Sequence, residues 1–344
     1  MQIRALQVIN SLLKNFSEIF LMNILITSAG TRGYLIRYFK KALKEKGKIF
    51  AADCSKYAPA LYDADNYFIV PTVADKNYIS ELFKICLKND VKGVVSLSDI
   101  ELPVLAQHKS KFMEKGIQLI VSDKRMVDVC YDKYKTFKFL KENKFPFPKT
   151  FISLNEVLME IKSETIKFPL LIKPRKGSAG VGIKEIFNVK ELQNGFNEKE
   201  NLMIQEFIQG VQYGVDVFSD SSLVPVSIFA KKVIRIRAGV ADKEVTVYDT
   251  KMIDYIRNLI GKLGLYGPGD IDLIKRGNEY VVLEINPRFG GGYPLAHVVG
   301  ANFPKKIIRL ISGDLLEADF RRYPDNIVMM KQDEIVIKNF NNIN

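Results

Sequence analysis

Three clusters in this 344-residue chain have the residue types and spacing for phosphate and metal chemistry. In Lys173-Pro174-Arg175-Lys176-Gly177-Ser178-Ala179-Gly180-Val181-Gly182, a strand-like run delivers a lysine to a loop with glycines at 177, 180 and 182. Such a backbone lets N–H groups approach phosphate oxygens with no Cβ in the way. The lysine precedes the glycines and no Gly-Lys-Ser/Thr ends the loop, so it is not a Walker A motif. The second cluster, Glu284-Ile285-Asn286-Pro287-Arg288, follows the apolar Val281-Val282-Leu283. Residues two apart on a strand share a face, so Glu284 and Asn286 project together, with Arg288 next if the extension continues. Paired carboxylate and amide oxygens suit Mg²⁺, which also bridges to phosphates. Asp270 and Asp272 repeat the spacing just upstream, and acids converging on a core-facing side are costly without a cation. The third cluster, Met203-Ile204-Gln205-Glu206-Phe207-Ile208, is an apolar strand whose end can offer backbone groups and a carboxylate to an adenine edge.

These residues need a scaffold, and the chain supplies two patterns. Strand-like runs at 23–28, 48–53, 67–70, 93–97 and 117–121 alternate with helical spacing at 35–46, 79–89 and 102–115. Strands separated by helical crossovers predict a doubly wound parallel α/β domain over 22–122, with ligands beyond the C-terminal strand ends. A charged helical linker over 123–149 ends at Phe145-Pro146-Phe147-Pro148, which cannot continue a helix. Beyond it, strands at 169–173, 182–187, 202–207, 213–218, 271–275 and 280–285 surround one helix at 249–262, with a last helix at 301–311. We expect a small lobe with the glycine loop over 150–210, a larger lobe with the metal site over 211–313 and a tail over 314–344. Residues 1–21 form an amphipathic stretch before the first strand. We expect Met22 to be the native start and the stretch an extension, which N-terminal sequencing of the native protein would test.

Taken in order, the strand-borne lysine, glycine loop, adenine-side strand and Glu284-Ile285-Asn286-Pro287-Arg288 resemble the ATP-grasp superfamily. The run Asn286-Pro287-Arg288-Phe289-Gly290-Gly291-Gly292 is similar to the carbamoyl phosphate synthetase-like branch of carboxylate–amine ligases. The opening 23–30 likewise looks like the domain that precedes the ATP-grasp fold. The resemblance implies an α+β ATP-grasp domain in two lobes behind the doubly wound one. It implies ATP as cofactor with one or two Mg²⁺ (or Mn²⁺) ions. Lys173, and Lys133 in the linker, would contact phosphates, with Gly177, Ser178, Ala179, Gly180 and Gly182 as the covering loop. Glu206 with the backbone of Phe207 and Ile208 would hold adenine. Gln212 stands where the family often has a ribose-binding glutamate. Asp272, Glu284 and Asn286 would hold the metal, and Arg288 would neutralise the transferring phosphoryl group. The implied activity joins a carboxylate to an amine through an acyl phosphate. True carbamoyl phosphate synthesis is not expected, because the chain has room for one synthetase half.

Other classes fit less well. Gly30, Gly33 and Asp53 give part of a dinucleotide fingerprint, but Ser28 stands where its first glycine belongs. That nicotinamide oxidoreductase reading leaves Lys173 and Glu284 unexplained. An ATP-binding regulatory module without turnover would need fewer oriented acids. The net charge of +12 comes from lysines spread along the chain, with no Arg-rich arm or zinc-finger spacing, so no nucleic-acid partner is expected. No apolar run reaches the roughly 20 residues that span a bilayer. Three scattered cysteines fit a reducing cytoplasm. For the small-molecule substrates, Asp99 and Glu101 could attract an amine, Arg235 or Arg237 could hold a carboxylate, and the turn at Gly291 could help shape the pocket. His108 and His297 have no ligand partner at useful spacing. A homodimer through the first domain is compatible with this organisation.

Overall fold

The computed structural model describes residues 21–177 and 180–339; residues 1–20, Ser178, Ala179 and 340–344 lie outside the described residues. Short runs rich in Ile, Val and Ala form a parallel sheet of β1 (Asn23–Thr27), β2 (Ile49–Asp53), β3 (Asn66–Ile69), β4 (Val91–Ser96) and β5 (Gln118–Leu119). The spatial order is β3-β2-β1-β4-β5. β1 is buried along its whole length, as expected of a strand covered on both faces. The coverage comes from α1 (Gly33–Leu43), α2 (Tyr78–Lys88), α3 (Leu102–Gln107) and α4 (Lys109–Met113). The single helix expected at 102–115 is interrupted at His108, whose φ of −108° and ψ of 10° are not helical. Its N–H bonds to Leu105 O, tightening the last turn of α3. Strand order reverses between β1 and β4, which opens a crevice at their C-terminal ends.

The linker holds α5 (Lys124–Tyr131) and α6 (Lys133–Glu142), separated by Asp132. The Asp132 carboxylate accepts from Tyr134 N at 3.0 Å and so caps α6, placing Lys133 at its first position. A four-stranded antiparallel lobe follows: β6 (Thr150–Phe151), β7 (Leu170–Pro174), β8 (Lys184–Ile186) and β9 (Leu202–Glu206), ordered β6-β9-β7-β8. α7 (Leu154–Lys162) and α8 (Val189–Gly195) close over its core of Val157, Leu170, Ile172, Leu192 and Ile204.

The largest sheet is antiparallel: β10 (Val211–Ser219), β11 (Pro225–Arg237), β12 (Val240–Val247), β13 (Gly267–Arg276), β14 (Glu279–Asn286) and β15 (Val328–Met330). Its order is β14-β13-β10-β11-β12-β15. One face, with Val215, Val217, Ile228, Ile271 and Leu273, packs on α9 (Thr250–Leu263). Asp249 caps α9 at Met252 N and left-handed Gly264 ends it. α10 (Tyr293–Val298) and α11 (Phe303–Ile311) turn back to the first domain, where Tyr293, Phe303 and Ile307 share a core with Leu35, Ile36 and Phe39. The segment expected as a tail includes β15, which pairs with β12. Among the described residues no helix is long and apolar enough to cross a membrane.

Candidate functional site

Alternation along the strands of the large sheet sends its second face toward the parallel domain; Phe218 and Phe229 on this face join the shared core, and beyond them it is polar. Register aligns its side chains in two rows. Asp272 stands opposite Glu284 on β14 and Gly214 on β10, and Gly214 stands opposite Lys231 on β11. One step along, Asp270 stands opposite Asn286 and Asp216. The Gly290–Gly292 turn lies directly on this surface. A Cβ at Gly292 would overlap the Glu244 carboxylate and come within 2.6 Å of Lys231 Nζ. Here only glycine permits the close approach.

Two rows of acids require cations. Arg288 donates to Asp99 Oδ2 at 2.8 Å and 3.2 Å and faces Asp270 Oδ2 at 3.4 Å, joining the end of β4 to the large sheet. Beside it, Arg32 donates to Phe289 O at 3.0 Å. Burial, and then Arg288, lower the Arg32 guanidinium from its usual value. Lys133 lies 3.1 Å from Glu284 Oε1 and donates to Gly177 O at 2.5 Å, so the linker holds the edge of the glycine loop against the metal strand. Burial lowers Lys173 to about 8, against the opposing pull of Glu284. Lys231, fully buried, lies 2.7 Å from Asp216 and 3.8 Å from Glu244. Burial alone would lower its ammonium; Asp216 and Glu244 outweigh that and push it up.

The Asp272 carboxyl is raised well above the usual range, first by burial and then by Asp270 and Glu284. No group of three His, Cys, Asp or Glu side chains among the described residues closes into a metal cage. Asp272, Glu284 and Asn286 instead offer a partial set of hard oxygens on one face, crowded enough to be relieved by a cation. That arrangement fits Mg²⁺, which keeps waters and phosphate oxygens in its shell.

Most residues singled out from the sequence come together. Asp99, Gly180, Gln212, Asp272, Glu284, Asn286, Arg288 and Gly291 line one cleft of about 230 Å³ between the domains. Lys133, Lys173, Gly177 and Gly180 surround an adjoining notch of about 50 Å³ that shares Glu284. Gly177, Gly180 and Gly182 have φ of 125°, 66° and 78°, so the loop needs its glycines for backbone shape. Ser178 and Ala179 lie outside the described residues. Glu206 and Phe207 border a separate groove with residues 164–169, and Ile208 is buried. The Glu206 carboxylate accepts from Lys149 N at 3.1 Å and faces Arg276 at 3.5 Å.

Three expected substrate residues stand apart from the cleft. Arg235 and Arg237 are half exposed and pair with Asp242, and Arg237 also pairs with Asp333. Glu101 is fully buried, accepting from Ser28, Ser96 and Tyr78. The Asp53 oxygens accept from Gly30 N and Ser55 N, each at 2.9 Å, and the carboxylate lines a different cavity at the strand ends. Sequence reasoning missed Arg32, Asp216, Lys231 and Glu244. The available signal was charge inside apolar strand sequence, as in Val215-Asp216-Val217 and Phe229-Ala230-Lys231.

Residues 24–120 match a family model described as PylC-like, N-terminal domain, and residues 130–292 match the ATP-grasp domain. The carbamoyl phosphate synthase large chain of Clostridium acetobutylicum is 22% identical over 272 residues, 71% of this chain and 25% of that protein. This chain thus spans about a quarter of that relative's length. Among solved structures, the biotin carboxylase domain of a 2-oxoglutarate carboxylase from Hydrogenobacter thermophilus was crystallised with MgADP, ADP and bicarbonate. It superposes with a TM-score of 0.72 at 18% identity, covering 90% of this chain and 73% of that one. The L-amino acid ligase of Bacillus licheniformis superposes at 0.64 and 18% identity, covering 84% and 74%. At such identities the likeness is one of fold.

Proposed function

Because residues 24–120 match the PylC-like N-terminal model and residues 130–292 the ATP-grasp one, we propose that this chain is an ATP- and Mg²⁺-dependent ligase of the carbamoyl phosphate synthetase-like branch, joining a carboxylate to an amine. The observation that carries the reading is the facing pair Asp272 and Glu284, with Asn286 beside them, next to Lys133 and Lys173. Hard oxygens and fixed ammonium groups in one cleft are what phosphoryl transfer requires, since that reaction asks of a protein chiefly positioning and charge neutralisation. The relatives' printed activities, carbamoyl phosphate synthesis and amino-acid ligation, agree with carboxylate activation.

In this reaction a substrate carboxylate oxygen attacks the γ-phosphorus of ATP, and the bond to ADP breaks. The amine nitrogen then attacks the acyl carbon of the acyl phosphate, loses a proton, and inorganic phosphate leaves with the C–O bonding pair. Lys133 and Lys173 hold phosphate oxygens, and the 177–182 loop excludes water from the labile intermediate. Arg288, fixed by Asp99 and Asp270, faces the charge that develops on the transferred group. Asp272, Glu284 and Asn286 would hold Mg²⁺, which would supply neutralisation of the phosphate charge.

ADP release from Mg²⁺-ATP, screened against pooled amino acids, amino sugars and small carboxylic acids, tests the reading. We expect release to require a carboxylate and an amine together. Glu284→Gln should lower it at least about 100-fold. Unchanged turnover in that variant would overturn the assignment, and nucleotide binding without release across the pool would favour a module that only binds.

A further inference from the structure

A second cavity, of about 390 Å³, lies at the C-terminal ends of β1, β2, β3 and β4. It is of the size ordinarily occupied by small ligands. Ser98 lines both this cavity and the cleft between the domains, so the two adjoin. Its wall is apolar, made by Val70, Pro71, Val73, Ala74, Ile100 and the ring of Tyr78. Among the described residues no lysine or arginine lines it, whereas the adjoining cleft holds Arg32 and Arg288.

The polar groups of the cavity have been given a direction. Glu101, fully buried behind them, accepts from Ser28 Oγ at 2.8 Å and Tyr78 Oη at 2.5 Å. A hydroxyl has one proton, and these two spend theirs on Glu101. What Ser28 and Tyr78 present to the cavity is therefore lone pairs. Ser28 keeps a left-handed backbone, φ 50°, at this point, a conformation uncommon for a residue other than glycine. Asp53 lines the cavity as well, a carboxylate that can only accept, while the hydroxyls of Thr72 and Ser98 in the same lining can either donate or accept. A carboxylate, two hydroxyls held as acceptors and no opposing cation among the described lining residues favour a donor head group, and an ammonium is the side-chain-like group with three donors and no acceptor.

We propose that this cavity binds the amine substrate, and that it takes a primary ammonium carried on an apolar body. The inference rests on the ligase reading above for the word substrate, but not for the chemistry of the pocket. Glu101 acts through Ser28 and Tyr78 and is a positioning residue.

Cys54 gives a reporter, because it lines the cavity and is exposed while Cys86 and Cys130 are buried. The rate of Cys54 alkylation by iodoacetamide would be followed by peptide mass spectrometry, with and without MgADP. The probes are isoamylamine, isoamyl alcohol and isovalerate, which share one apolar body. We expect isoamylamine to slow alkylation at least about fivefold in one or both nucleotide states, as occupancy of the site predicts, and the other two to do little. Glu101→Gln should abolish the preference for amine, since an amide N–H would turn one hydroxyl proton into the cavity. Ala74→Trp, an exposed position away from the buried network, should fill the cavity and abolish protection by all three. Equal protection by amine and alcohol in both nucleotide states would overturn the proposal, as would amine protection that survives Ala74→Trp. Protection without any amide product on adding ATP and carboxylates would count against the ligase reading and leave the pocket standing. Amide formation by Ala74→Trp at an unchanged KM for the amine would sink the pocket and leave the ligase.

Discussion

Burial at the end of β7 lowers the Lys173 ammonium from 10.5 to about 8, with Glu284 opposing the shift and Lys133 adding to it. The group is therefore charged below pH 8 and loses its proton as pH rises through that value. Phosphate contact requires the charged form, so the dissociation constant for ADP should rise about tenfold between pH 7 and pH 9 as the proton is lost. Lys173→Arg keeps its charge across that range and should flatten the dependence. Calorimetric titration of both proteins at the two pH values is the measurement. Parallel pH profiles for the two would mean that Lys173 does not meet the phosphates. The sequence announced this lysine because it stands in a strand just before a glycine loop. Arg32 gave no such sign, since Thr31-Arg32-Gly33 reads as an ordinary loop and its place beside Arg288 depends on a contact 256 positions away in the chain.

At the scale of elements, the parallel domain was legible almost strand by strand, because each buried strand is an apolar run and each crossover has helical spacing. The hairpin of β11 and β12 was not read at all. Its apolar pattern is broken by Lys231, Lys232, Arg235 and Arg237, and those charges make sense only in three dimensions. Arg235 and Arg237 meet Asp242 on the exposed extension of the hairpin, while Lys231 enters the floor of the site between Asp216 and Glu244. The floor carries a prediction. Lys231→Met would leave two fully buried carboxylates facing each other with no cation, and breaking a buried ion cluster in this way costs about 3–5 kcal/mol. Adding Asp216→Asn removes one of the stranded charges and should return at least about 1 kcal/mol, so the two changes are not additive. Urea denaturation of the two singles and the double closes the cycle. A loss below about 1 kcal/mol for Lys231→Met would mean that the cluster contributes little.

The molecule as a whole is joined by its cores in an uneven way. One apolar cluster runs from Ile24, Leu35 and Phe39 of the parallel domain into Phe218, Phe289, Tyr293 and Phe303, so the first domain and the large sheet share an interior. The four-stranded lobe keeps a cluster of its own, Val157, Leu170, Ile172, Leu192 and Ile204 with their neighbours. It reaches the site chiefly through polar links, such as Lys133 with Gly177 and Arg175 with Asp132. Elements that share a core unfold together, and a unit held by a separate core can open at lower free energy. Scanning calorimetry of the ligand-free protein should therefore show two transitions, the lower one belonging to the small lobe. Leu192→Ala deletes buried side chain in that lobe, at a cost of about 2–5 kcal/mol, and should move only the lower transition. Phe289→Ala deletes the ring that bridges the other two units, at about 3–5 kcal/mol, and should move only the upper one. A single transition lowered by both substitutions would show that the lobe is bound into one cooperative unit with the rest. The glycine loop would then be carried by a rigid cover, and nucleotide would have to enter through the cleft that the ligand-free protein already has.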